Sequence, residues 1–222
     1  MKRTLQILLA LSLISMFIIS PVAAATSQGL EWGIESGDQW NFDMKSVTEG
    51  TQDFAEVVYF EVTGGVSAIP NILTDWLAIP DVTFDVTWEN GTSLGLSAFM
   101  FIFWYLTVSN KFVVPIGNYT LLGELYADSA YNGTAYNKAS YWGMEVTDLD
   151  IFGTLFDIHI DYLKDDGMLA HWNVKSGNYT LTMVRQGLPS FDIVGLIQDN
   201  LLLVGAGVVI LILLVVICAR RR

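Results

Sequence analysis

FDIHIDYLKDDGMLAHWNVKSGNYTLTM, from Phe156 to Met183, is the stretch whose reading decides the fold. Apolar residues take every second place: Phe156, Ile158, Ile160 and Tyr162, then Met168, Ala170, Trp172 and Val174, then Tyr179, Leu181 and Met183. Successive side chains of a strand point to opposite faces, so this period means half-buried strands. Lys164-Asp165-Asp166-Gly167 and Lys175-Ser176-Gly177-Asn178 supply the turns between them. A slip of one residue would turn the whole apolar set outward, and this fixes the register. A loop from Asp165 to Gly167 pairs Tyr162 with Ala170, Ile160 with Trp172 and Ile158 with Val174. A Ser176-Gly177 loop pairs Val174 with Tyr179 and Trp172 with Leu181. Trp142, Met144 and Val146 alternate in the same way upstream, so the expectation is a four-stranded antiparallel meander with one buried face.

Further upstream the period persists. Trp40, Phe42 and Met44, then Val58, Phe60 and Val62, then Val82, Phe84, Val86 and Trp88 alternate with polar residues. Gly64-Gly65, Pro70, Pro80 and Asn90-Gly91 punctuate these runs. After Pro115 and Gly117 the spacing turns helical: Leu121, Leu122, Leu125 and Tyr126 predict a helix from about Tyr119 to Ala130, with Asn118 as its N-cap. The uncharged run Leu94 to Val108 reads as a buried strand or helix of the core, with a membrane-dipping segment as the alternative. The fold class expected is therefore α+β: a curved antiparallel β-sheet with one or two covering helices, the cover being the helix after Asn118 and the aromatic Phe99 to Tyr105 segment.

Two hydrophobic ends frame this domain. Lys2 and Arg3 precede an apolar stretch from Leu5 to Ile19, and Ala23 and Ala25 occupy the small positions of a cleavage site. The run Leu201 to Ala219 carries no charge and ends in Arg220-Arg221-Arg222. As a helix it would reach about 28 Å, close to the hydrocarbon thickness of a bilayer, and the arginines place its end in the cytoplasm. The organisation expected is a signal peptide at 1–25, an extracellular β-rich domain at 26–190 and a juxtamembrane segment at 191–200. A transmembrane helix at 201–219 and a cytoplasmic tail at 220–222 complete it, giving a single-pass protein of the plasma membrane.

Between the two ends lie all 23 acidic residues against six basic ones, Lys45, Lys111, Lys138, Lys164, Lys175 and Arg185, a net charge of −17. Phosphate contacts need Lys and Arg, so nucleic acid is not an expected partner. The only cysteine is Cys218, inside the expected span, so the outer domain must be held by packing without disulfides. Four Asn-x-Thr sequons, at Asn90, Asn118, Asn132 and Asn178, fall in the outer part and are candidate glycosylation sites.

Catalytic signatures such as G-x-S-x-G, H-E-x-x-H, C-x-x-C or a Gly-rich phosphate loop do not occur, and the expectation is a non-enzyme with no cofactor. The acidic pairs Asp148/Asp150 and Asp165/Asp166 read as turn residues. Three functional readings remain. The first is a surface binding module for a partner outside the cell. The second is a carrier or sensor of a lipid or other apolar ligand, lined by Phe99, Phe101, Phe103, Trp104 and Trp172. The third follows from the register, which puts Asp157, His159 and Asp161 on the polar side of one strand with His171 opposite Asp161; imidazole and carboxylate suit Zn or Mn.

In layout the chain resembles uncharacterised archaeal single-span cell-surface proteins with a β-rich ectodomain. The pieces that carry the resemblance are WGIESGDQWNF near the mature start, Val113-Val114-Pro115-Ile116-Gly117-Asn118, and the hairpin from Tyr162 to Trp172 with its Asp-Gly-x-Leu turn. More distantly the hairpin on a curved sheet is similar to LolA-like lipoprotein-carrier folds. That similarity implies an apolar groove and carries over no functional residue; the absence of a cysteine near the signal cleavage site departs from it.

Overall fold

The structure is a computed structural model, and it describes residues 26–95, 108–131, 133–151 and 153–188. The alternating segments pair into one antiparallel sheet of eight strands: β1 (Gln39–Thr48), β2 (Thr51–Val62), β3 (Phe84–Trp88), β4 (Thr134–Asn137), β5 (Tyr141–Ile151), β6 (Thr154–Leu163), β7 (Leu169–Ser176) and β8 (Tyr179–Arg185). Their order across the sheet is β3-β2-β1-β8-β7-β6-β5-β4. The expected meander β5 to β8 is thus one half of a larger sheet, joined to the first three strands through β1 and β8.

The β6–β7 register agrees with the reading from polarity at Ile160–Trp172 and Ile158–Val174. It departs at the turn, where a shift after Asp161 pairs Tyr162 with Leu169 instead of Ala170. Gly167 requires that turn: its φ is 74°, a region L side chains avoid, and its backbone lies close to Val114. Between β7 and β8 the loop is Gly177-Asn178, not Ser176-Gly177, so Val174 pairs with Leu181 and Trp172 with Met183. Gly177 takes φ 56° at the first loop position, where a II′ turn demands it. The displacement is two residues, so the faces stay as expected.

One face of the sheet is apolar and buried. Phe42, Met44, Val58, Phe60, Trp142, Met144, Ile158, Ile160, Trp172 and Met183 are each at most 1 % exposed. Helix α1 (Tyr119–Ala127) buries Leu122, Leu125 and Tyr126. Its start is set by Asn118, whose Oδ1 accepts from the Leu121 N–H at 3.1 Å. It ends at Ala127, three residues before the expected Ala130, with Asp128 as its C-cap. A short 3₁₀ turn, Trp76–Ala78, adds Trp76 to the core; it is fully buried and stacks on Trp142 with ring centroids 5.9 Å apart.

Between the masses of α1 and the sheet runs a segment with no regular structure, Val108 to Lys111, and it is buried almost throughout. Buried backbone carbonyls need donors. Three aromatic side chains of the core supply them: Tyr126 donates to Val108 O at 3.0 Å, Trp76 Nε1 to Ser109 O at 2.8 Å, and Tyr162 to Lys111 O at 2.7 Å. Each ring therefore packs as hydrocarbon and bonds through its polar tip.

The run Leu94 to Val108 is described only at its ends, where Leu94 and Val108 are buried. The assignment of its middle to a strand, a helix or a membrane dip lies outside the described residues, as do the expected signal peptide and span. Among the described residues, no helix is long and apolar enough to cross a membrane.

Candidate functional site

The second face of the sheet is polar, and one carboxylate on it is nearly buried. Asp161 has a side chain only 11 % exposed, between His159 at 39 % and His171 at 35 %. His159 lies two residues before it on β6, and His171 is its cross-strand partner on β7. Asp161 Oδ2 stands 3.3 Å from His159 Nε2 and 3.4 Å from His171 Nδ1.

A fourth group, absent from the reading of the sequence, completes the cluster. Tyr136 on β4 reaches over β5 and places its hydroxyl 2.7 Å from Asp161 Oδ1, 3.0 Å from Ile160 O and 2.8 Å from His159 Nε2. Its ring stacks on His159 at 5.2 Å, and Lys138 Nζ lies 4.7 Å from the ring centre. This reach needs a bare backbone on β5. Tyr136 pairs with Gly143, which pairs in turn with Asp161. A Cβ on Gly143 would meet the Tyr136 hydroxyl at 2.4 Å and Ile160 O at 2.2 Å. A glycine inside a strand pattern marks close approach, and Gly143 is the one mark in the sequence of what lies over it.

The hydroxyl has one proton, so donation to Asp161 leaves its oxygen to accept from His159 Nε2–H. Burial, and next the Asp161 carboxylate, push the Tyr136 phenol far above its ordinary value, so it stays a donor. Burial acts on Asp161 in the direction of a higher pKa, but the contacts from His171, Tyr136 and His159 together hold the carboxyl below its ordinary 3.8. A folded value below the unfolded one stabilises the fold above the unfolded pKa, and that contribution disappears as pH falls through the folded value. Asp161→Asn is therefore expected to cost about 1–3 kcal/mol at pH 7, with the gap to the parent chain closing below about pH 4. Thermal unfolding of both chains at pH 7 and pH 3 measures this; an equal gap at the two values removes the charge from the account.

Asp157 does not join the cluster. It pairs with Lys175, and its Oδ1 accepts from the Asp148 N–H at 3.1 Å, where β5 bulges. Among the described residues, no group of three or more His, Cys, Asp or Glu is arranged to hold a metal ion. Of the expected ligand set Asp157, His159, Asp161 and His171, three side chains meet at Asp161, and Tyr136 bonds to two of them, Asp161 and His159.

Of the expected apolar-ligand residues, Trp172 is 1 % exposed in the core, paired with Ile160 and Met183. Phe99, Phe101, Phe103 and Trp104 lie outside the described residues. Of the acidic residues expected in turns, Asp148 takes φ 53° at the β5 bulge and Asp150 lies near the end of β5, its carboxylate accepting from Gly153 N–H, while Asp166 accepts from Met168 N–H in the β6–β7 turn.

The sequons differ in what their asparagines already do. Asn90 and Asn178 are exposed. Asn90 Oδ1 accepts from both the amide and the hydroxyl of Thr92, at 2.9 and 2.6 Å. Asn118 is half-buried and bonded through both ends of its amide, Nδ2 donating to Gln28 O at 2.9 Å. Asn132 lies outside the described residues. No protein-family model matches the chain, and neither a curated protein nor a solved structure matches it.

Proposed function

We propose that the chain is a non-enzymatic, membrane-anchored extracellular binding module, held by one C-terminal span, which meets its partner with the polar face of the sheet around Asp161. One observation carries this reading. A single cross-strand row, Tyr136–Gly143–Asp161–His171–Val184–Asp43–Val57, runs over seven strands, and on it a nearly buried carboxylate is held by hydrogen bonds with Tyr136 and His159, with His171 Nδ1 3.4 Å away. Groups held in place before contact lose little freedom on binding. Val184 on the same row is 37 % exposed and offers apolar contact beside the charge. The arginine tail and the apolar ends support the topology, and the six basic residues spread through an acidic domain favour a partner with a basic surface.

A lipid carrier is the weaker reading, because Trp172 is spent in the core and the cavity at the β3 edge holds about 150 Å³, below the range of drug-sized ligand pockets. The topology is tested on intact cells making the full chain. A membrane-impermeant amine reagent is expected to label the exposed Lys45 and Lys175. Labelling of these lysines only after the cells are permeabilised would put the domain on the wrong side and end the proposal.

A further inference from the structure

Beside β3, at the edge of the sheet away from Asp161, a cavity of about 150 Å³ opens between the strand and residues 110–113. Its apolar wall includes Phe84, Val86 and Phe112. Its polar end is unusual. Lys111 is 4 % exposed, and its Nζ donates to Ile79 O at 2.8 Å and to Asp81 Oδ1 at 2.5 Å. An ammonium has three N–H donors, so one remains. Next to it, Asn110 also lines the cavity, takes φ 49° and has a buried Oδ1 with no hydrogen-bond partner. An orphaned buried acceptor and a left-handed backbone are both unfavourable, and they persist where a site requires them.

We propose that this cavity binds a small neutral molecule with an apolar body and a head group that both donates and accepts, a primary carboxamide or an alcohol. The head group accepts the third N–H of Lys111, and a turn of the Asn110 amide toward the cavity brings its buried Oδ1 within reach of the ligand's donor. Its body lies against Phe84 and Phe112, whose rings are themselves 5.9 Å apart. Neutrality follows from Asp81, which already balances the lysine. The Asp81 side chain is 62 % exposed, so the polar end is reached from solvent. The volume equals about five water molecules, which sets the ligand at roughly six to nine heavy atoms.

Isobutyramide is the probe. Titrated into the full chain in detergent and followed by amide chemical shifts, it is expected to bind saturably, with N,N-dimethylisobutyramide, which has no donor, about tenfold weaker. Asn110→Gly keeps the left-handed backbone available and removes the acceptor, so it is expected to fold and to bind isobutyramide about tenfold less tightly. Val86→Phe fills the cavity and is expected to abolish binding. Absence of saturable binding by the parent chain overturns the proposal and leaves the cavity to water. Equal affinity in Asn110→Gly or Val86→Phe overturns it as well, because the probe is then bound elsewhere.

Discussion

Replacing Gly167 with alanine is expected to destabilise the fold by about 3–4 kcal/mol, a large share of a domain's total stability. Two costs add. Alanine at φ 74° takes on the left-handed penalty, about 1–2 kcal/mol. Its Cβ would also stand 2.0 Å from Val114 O, a backbone atom that cannot swing away. Relief requires the β6–β7 turn and the 112–116 segment to separate. That breaks the bond from Val114 N to Gly167 O at 2.9 Å and strains those from Gly167 N to Leu163 O and from Leu169 N to Phe112 O. Gly177→Ala is the control, since Gly177 has φ 56° but nothing within 4 Å of the added Cβ. It is expected to cost about 1 kcal/mol. Denaturant unfolding followed by tryptophan fluorescence ranks the two. Equal losses would mean that only backbone conformation matters and that the close approach to Val114 does not exist.

Trp76→Ala is expected to cost about 4–5 kcal/mol, the upper end for removal of a buried aromatic. The ring is fully buried, stacks on Trp142 and meets Tyr126 edge-on at 5.3 Å. Its removal leaves a cavity beside Trp142 and beside Tyr126, which has its hydroxyl tied to Val108 O and so collapses poorly into it. It also orphans Ser109 O, which lies where water does not reach. Trp76→Phe separates the two contributions: most of the volume stays and the donor goes, for about 1–3 kcal/mol. A loss under about 1.5 kcal/mol for the alanine variant would show that Val108 to Lys111 is not held through Trp76.

The hairpin β6–β7 was legible because polarity and turn chemistry agree there. Ile160 had to face the same way as Trp172, and Gly167 was the one residue able to turn the chain. From that register the meeting of Asp161 with His171 followed before any coordinates. Tyr136 was hidden because β4 has only four residues, Thr134 to Asn137, too few for a period to show. Trp76 was hidden for a different reason. It sits in a 3₁₀ turn between loops, where nothing repeats, and its burial depends on Ser109 and Trp142, distant in sequence. The seam between β1 and β8 was also beyond reach, since alternation fixes which face a strand buries and not which strand lies beside it.

That seam has a consequence for how the chain becomes a folded protein. Asp43 and Gln186 bond at 2.8 Å although 143 positions separate them, and β8 is paired on both sides, to β1 and β7. Until residues 179–185 have been synthesised, the molecule consists of two partial sheets, each with a raw edge of unpaired amides and carbonyls. Closing so long a loop is slow, and raw edges recruit strands from neighbouring chains. The nascent protein is therefore most exposed to aggregation just before its final strand arrives, and a chain cut short before Tyr179 is left with both edges and no strand to join them.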